Sequence, residues 1–154
     1  MKKFAFSLQR LLGYKEQLFE AERNVLGQMN AVMAQLQSEL LAMQEEHMLR
    51  VQEFNEKAHE GIRPAEMQTH KYYLTVLDEN IREKIAQIEL QRRAIDKQMD
   101  VVREAKLEIA TIEKLKERKI EEYNYAAMKS DEQFIEEFVS HQRAAVNAMD
   151  GMMV

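Results

Sequence analysis

Cysteine and tryptophan are absent, proline occurs once and glycine only four times in 154 residues. Without cysteine, disulfides and thiolate metal sites are excluded. Without tryptophan, and with aromatics at 7%, a thick three-dimensional core would be hard to fill. No apolar run approaches the eighteen or so residues a membrane-spanning helix needs. Met1 to Gln9 are basic but lack the apolar stretch and cleavage site of a signal peptide. These absences favour a cytoplasmic protein. A net charge of only −5 argues against a nucleic-acid binder, since phosphate contacts require a concentrated basic surface.

What fills the chain instead is Glu, Gln, Lys, Arg, Leu, Met and Ala, which lose little rotamer freedom in a helix. Spacing organises them. Leu12, Phe19, Leu26, Met33, Leu40, His47 and Phe54 stand seven apart, and six of the seven are apolar; we designate this heptad position a. Its expected companion in the first half is the g set Leu11, Leu18, Val25 and Val32, because the d positions Lys15 and Glu22 are charged. In the second half the d set Met29, Leu36 and Met43 takes over. The buried stripe should therefore drift sideways along the helix. A second column, Leu74, Ile81, Ile88, Ile95, Val102 and Ile109, follows the only proline. Its neighbouring d positions Lys84, Gln91 and Gln98 are polar.

Between the columns, Gly61 can end a helix in the left-handed conformation and Pro64 can open the next. The expected fold is all-α: two long helices in an antiparallel coiled-coil hairpin, the second overhanging. The boundaries are helix 1 over about 5–58, a turn over about 59–65, helix 2 over about 66–145 and a tail over 146–154, in one domain. A reversal near residue 61 makes facing residue numbers add to about 123. At 1.5 Å per residue the helices would run roughly 75 and 120 Å. Ile120, Tyr123, Ala127, Phe134, Ile135 and Phe138 on the overhang are left without an intrachain partner, which points to one elsewhere.

No catalytic constellation is present. The histidines at 47, 59, 70 and 141 are scattered, and no two have the spacing of paired ligands on one helical face. The acid pairs Glu45/Glu46, Glu121/Glu122 and Glu136/Glu137 lack the Glu-x-x-His partners of a di-metal bundle. The four glycines stand alone, so no phosphate-cradling loop forms. We expect no enzyme, no cofactor and no metal. Charge is polarised instead: residues 1–15 carry Lys2, Lys3, Arg10 and Lys15 with no acid, and Lys106, Lys114, Lys116, Arg118 and Lys119 outnumber the three acids of residues 106–119. A hairpin brings these stretches together as a basic end able to steer docking onto an acidic surface.

The opening Phe4-Ala5-Phe6-Ser7-Leu8-Gln9-Arg10-Leu11-Leu12 resembles the Phe-x-Phe-x-Leu-x-x-Leu-Leu start of the FliJ family of flagellar export proteins. Ile112-Glu113-Lys114-Leu115-Lys116-Glu117-Arg118-Lys119, with Glu122-Tyr123, Asp131-Glu132 and Ile135-Glu136-Glu137 after it, resembles that family's second signature. The resemblance implies a stalk-like component of the flagellar type III export apparatus, at the inner face of the cell membrane without crossing it. Its joined termini would enter and promote the ring of the export ATPase FliI through Phe4, Phe6, Leu8, Leu11, Lys114, Leu115, Lys116, Arg118, Lys119 and Tyr123. The export gate protein FlhA would bind mid-stalk at Tyr73 and Leu77 with Met43 opposite, and export chaperones are further implied partners. Other readings are a structural tether, a holdase of the prefoldin kind, and an injectisome stalk of the YscO type.

Overall fold

A computed structural model describes Lys2 to Met153. It contains two helices, α1 over Gln9–Glu60 and α2 over Pro64–Met152. The chain divides into two compact units, Met1–Glu16 with Leu107–Val154, and Gln17–Lys106. Within each unit a segment of α1 packs antiparallel to a segment of α2.

Local chemistry explains the reversal. Lys57 and His59 lie in the last turn of α1, where positive charge complements the carboxyl-terminal end of the helix dipole. Gly61 follows with φ of 106°, and its N–H donates to Lys57 O at 3.0 Å. That is the left-handed cap that a side chain would strain. Pro64 is the first residue of α2, where a missing N–H costs nothing, and the Met67 N–H closes the first turn onto Arg63 O at 3.0 Å.

The observed bounds differ from the expected ones at both outer ends. α1 starts at Gln9 rather than near residue 5: the Lys2 carbonyl and the Phe4 ring meet Tyr123 of α2, and the Gln9 N–H closes a turn onto Phe6 O at 3.1 Å. α2 continues through 146–152, where Ala144, Ala145, Ala148 and Met149 favour helix and no proline stops it.

The seam has a simpler rule than the drifting stripe. In the larger unit, α1 positions a and d are half-buried from Phe19 to His47: Glu22, Leu26, Met29, Met33, Leu36, Leu40 and Met43 lie between them, and the d positions Arg50 and Lys57 beyond are exposed. Leu18, Val25 and Val32, expected to form the companion column, are exposed. The correction has a physical cause. The charged d position Glu22 is not driven out of the seam, since its carboxylate and its backbone carbonyl both accept from Gln98 Nε2, at 2.6 and 2.9 Å. Charge in a seam is tolerable once a hydrogen bond replaces the lost water.

The polar d positions of α2 follow the same logic. Gln91 Nε2 donates to Met29 O at 3.0 Å. Lys84 Nζ reaches Glu39 Oε2 at 2.6 Å with its side chain only 15% exposed. Gln98, Gln91 and Lys84 thus recur every seven residues, each tied to α1. Glu39 and Lys84 add to 123, and Glu22 with Gln98 and Met29 with Gln91 each add to 120, all close to the value of about 123 expected from a tight reversal. The two apolar columns consequently do not face each other. They alternate: a large apolar residue of α1 sits at the level of a polar residue of α2, and the aliphatic column of α2 faces the mixed d positions of α1. Such a seam contains an apolar residue in nearly every layer without being dry in most of them.

The hydrogen bonds from Lys84 and then Gln35 hold the Glu39 carboxyl below the ordinary carboxylate range. A depressed folded-state value means stability that is present above the ordinary carboxylate pKa and is lost as pH falls through the folded one. We expect acidification to lower the thermal midpoint of the parent more than that of Lys84→Met, so that the gap between them shifts with pH, as read by circular dichroism. A gap that stays constant down to strongly acid pH would show that this pair does not set it.

Candidate functional site

In the smaller unit the residues of the two sequence signatures come together. Leu12 and Ile112 are its buried pair, 4% and 9% exposed, and they occupy one level of the antiparallel register. Lys15 Nζ pairs with Glu108 Oε2 at 2.8 Å, and that hydrogen bond pushes the Lys15 ammonium above its usual range. Lys116 Nζ donates to Gln9 Oε1 at 2.9 Å.

Before α1 begins, the chain runs extended along α2. Phe4, Phe6 and Leu8 are half-buried while Ala5 and Ser7 are exposed, the period-two alternation of an extended strip lying on a surface. Phe4 meets Tyr123 edge to face, with centroids 5.7 Å apart and an interplanar angle of 62°, the arrangement the ring quadrupoles favour. The Tyr123 hydroxyl donates to Lys2 O at 2.5 Å. Lys2 to Ser7 with Lys119, Glu122 and Tyr123 enclose an open cleft.

The expected ATPase-facing residues therefore separate into two groups. Phe4, Phe6, Leu8, Leu115 and Tyr123 are half-buried and fasten the amino-terminal strip to α2; Lys116 is half-buried and tied to Gln9. Leu11, Lys114, Arg118 and Lys119 are exposed. Lys119 lies 3.2 Å from Glu122, and Lys114 and Arg118 stand in water. The rim is basic and its apolar residues are mostly scaffold. Ile120, Tyr123 and Ala127 are half-buried too, so the face of α2 left without a cover begins after Ala127. From Met128 through Met153 every residue is exposed.

In the larger unit, Leu77 is 6% exposed. It is a seam residue and cannot meet a partner while the helices stay together, which removes it from the gate-facing set. Met43 is half-buried at a d position. Tyr73 is 41% exposed, and its neighbours are Glu46 and Arg50. The phenol donates to Glu46 Oε1 at 2.5 Å, and the Arg50 guanidinium lies 5.2 Å from the ring centroid. The bond to Glu46 raises the phenol above its usual pKa. The grip of Glu46 and Arg50 on this ring has no signature in the sequence, because the contact crosses the seam between residues far apart along the chain. Next to it Tyr72 projects into solvent, 73% exposed.

Among the described residues no three His, Asp or Glu side chains converge on a common point that could hold a metal ion, and no helix is long and apolar enough to cross a membrane. The geometry defines a two-helix hairpin protein whose smaller unit presents a basic surface and an amino-terminal strip fastened to the longer helix. The sequence model of the family described as Flagellar FliJ protein matches residues 4–147. The chain belongs to the FliJ family and is a component related to flagellar protein export. No curated protein and no solved structure matches it.

Proposed function

We propose that the chain is a stalk-like export factor that engages the ring of the export ATPase through its basic end and links that ring to the export gate. The observation that carries this reading is the smaller unit. A rigid paired end bears exposed Lys114, Arg118 and Lys119, beside a helix whose apolar face has no intrachain cover beyond Ala127. A single rod meeting several ring subunits needs a stiff end, apolar contact residues and charges that steer without demanding one geometry. The stalk itself would bind no nucleotide and catalyse nothing. It would promote hydrolysis by binding the assembled ring better than free subunits. Such a factor works in the cytoplasm, peripherally at the membrane that holds the gate, with export chaperones as further partners.

The test measures ATP hydrolysis by the cognate ATPase with three forms: the intact chain, a form with Lys114, Arg118 and Lys119 changed to Glu, and a form ending at Ala110. Intact chain should stimulate, charge reversal should weaken stimulation and its salt dependence, and truncation should abolish it. Undiminished stimulation by the truncated form would reject ring engagement through this end and favour a tether acting elsewhere.

The gate contact rests on Tyr73 alone, with Met43 and Leu77 behind it in the seam. A half-exposed aromatic ring held by Glu46 and Arg50 is a preorganised contact with little ordering entropy left to lose. Tyr73→Ala should weaken binding to the gate protein about tenfold while leaving helicity unchanged. Equal affinities in a calorimetric titration would move the contact elsewhere.

A further inference from the structure

Two apolar faces are left without a cover, and they match. The first lies on the larger unit. Leu18, Val25 and Val32 occupy g positions of α1 and are exposed, and Ala94 and Val101 hold the equivalent positions of α2. Leu90, 65% exposed, borders them. The hydrogen bond between Glu46 and Tyr73, which hold the same heptad positions further along, establishes that g lies beside g on this flank. The register in which facing numbers add to about 123 places Val25 between the levels of Ala94 and Val101, so the small side chain leaves a shallow notch between larger ones. The neighbours Ala21, Gln28 and Gln87 are uncharged, and the exposed Lys97 and Glu104 at the margin can lay their stems on the flank while their charges stay in water. On the opposite flank Arg23, Asp78 and Arg92 interrupt the apolar residues Ile85 and Met99, so no continuous uncharged strip forms there. One flank of a two-helix seam is thus prepared for a third helix.

The second face lies on α2 beyond the cover of the amino-terminal strip. Ile135, Phe138, Val139, Gln142, Val146 and Met149 follow one another at helical spacing, and Phe138 is 56% exposed. Glu136, Glu137, Arg143 and Asp150 fall off this stripe. From Leu18 to Val32 and from Ile135 to Met149 the two runs are each about 21 Å long at 1.5 Å per residue. Neither stripe contains a charge, so apposing them leaves no ion desolvated and unpaired.

We propose that the carboxyl-terminal helix of one copy docks on the Leu18–Val32 flank of a second copy, making a heterologous self-association. A flank of five exposed aliphatics around Ala94 presents on the order of 350 Å² of apolar surface, under half of the roughly 800 Å² per partner of a standard interface. One helix fills such a strip, whereas two flanks pressed together would leave most of the overhang uncovered. An interface below the standard size belongs with weak, transient contacts, and we expect a dissociation constant on the order of 100 μM, high enough for a tighter partner to displace the second copy. This inference does not depend on the ATPase reading, and its test contains no ATPase.

The full-length chain would be examined by sedimentation equilibrium from about 10 to 500 μM, spanning the expected constant on both sides. Two variants accompany it: Val25→Lys with Val101→Lys on the flank, and Phe138→Lys with Val146→Lys on the overhang. All four positions are solvent-accessible, so both variants should keep parental helicity, checked by circular dichroism. The parent should associate progressively with concentration into dimers and longer head-to-tail species, each variant should be monomeric throughout, and an equimolar mixture of the two should recover association as dimers, because each supplies the face the other lacks. A monomeric parent overturns the proposal, as do variants that associate like the parent. A mixture that stays monomeric overturns it too, by showing that like faces had met.

Discussion

Changing Leu12 to Asp is expected to release the amino-terminal strip from α2 and abolish stimulation of the ATPase, while the Gln17–Lys106 unit stays helical. Among the described residues Leu12 is the least exposed apolar one, and Ile112, at its level, is the other buried residue of the smaller unit. A carboxylate there would face aliphatic surface with no donor: the nearest ammonium groups, Lys15 and Lys116, are committed to Glu108 and Gln9. Burying an unpaired charge costs about 3–5 kcal/mol. The contacts that would oppose release are few: the Phe4–Tyr123 ring pair, the bond to Lys2 O and the two lysine ties. Hydrogen exchange should show protection lost over residues 9–16 and retained over α1 within the larger unit. Protection retained at residues 9–16 would mean that the strip and not the Leu12 level holds this end. Leu12→Met, which keeps volume and polarity, should behave as the parent.

Replacing Lys84 and Gln91 together by Leu is expected to stabilise the chain, against the intuition that removing a 2.6 Å ion pair weakens it. Lys84 is taken largely out of water to meet a Glu39 that remains 40% exposed, so its desolvation offsets much of the attraction. Gln91 donates to a backbone carbonyl that already belongs to the helix, and its loss leaves no orphan. Two leucines at these levels would face the large apolar column of α1 and contribute roughly 1–2 kcal/mol each, seen as a rise in denaturant midpoint at unchanged slope. Gln98 is left alone because it is the partner of Glu22, which would otherwise be half-buried and unpaired. The same variant should be less particular about register, since Gln98 would then be the last polar d position of α2 tying the seam of this unit. Paramagnetic labels at Gln35 and Ile88 would report it as a broadened distance distribution. A lowered midpoint would show that the polar levels stabilise the seam as well as specify it.

How much was legible beforehand depends on whether a feature is local. The helical content, the reversal at Gly61 and Pro64, the two columns and the register follow from propensity, capping chemistry and period, all of which act within a few residues. The resemblance at both ends rested on ordered motifs, and the family match over residues 4–147 agrees with it. The companion column was misjudged. Leu11, Leu18, Val25 and Val32 were assigned to the seam on hydrophobicity alone, and Lys15 and Glu22 excluded on charge.

Which of two adjacent stripes is buried depends on the facing helix, and here that helix offers Glu108 and Gln98 where the charges need them. The same holds for Leu77, buried by α1 although its neighbour Tyr73 is not, and for Phe4, whose place is decided by Tyr123, more than a hundred residues away. The sequence by itself determined the elements, their reversal and their register, because backbone chemistry and period are local. Only the tertiary structure decided which charges enter the seam, which apolar residues are left in water, and which signature residues serve as scaffold, because burial and pairing are properties of two surfaces brought together.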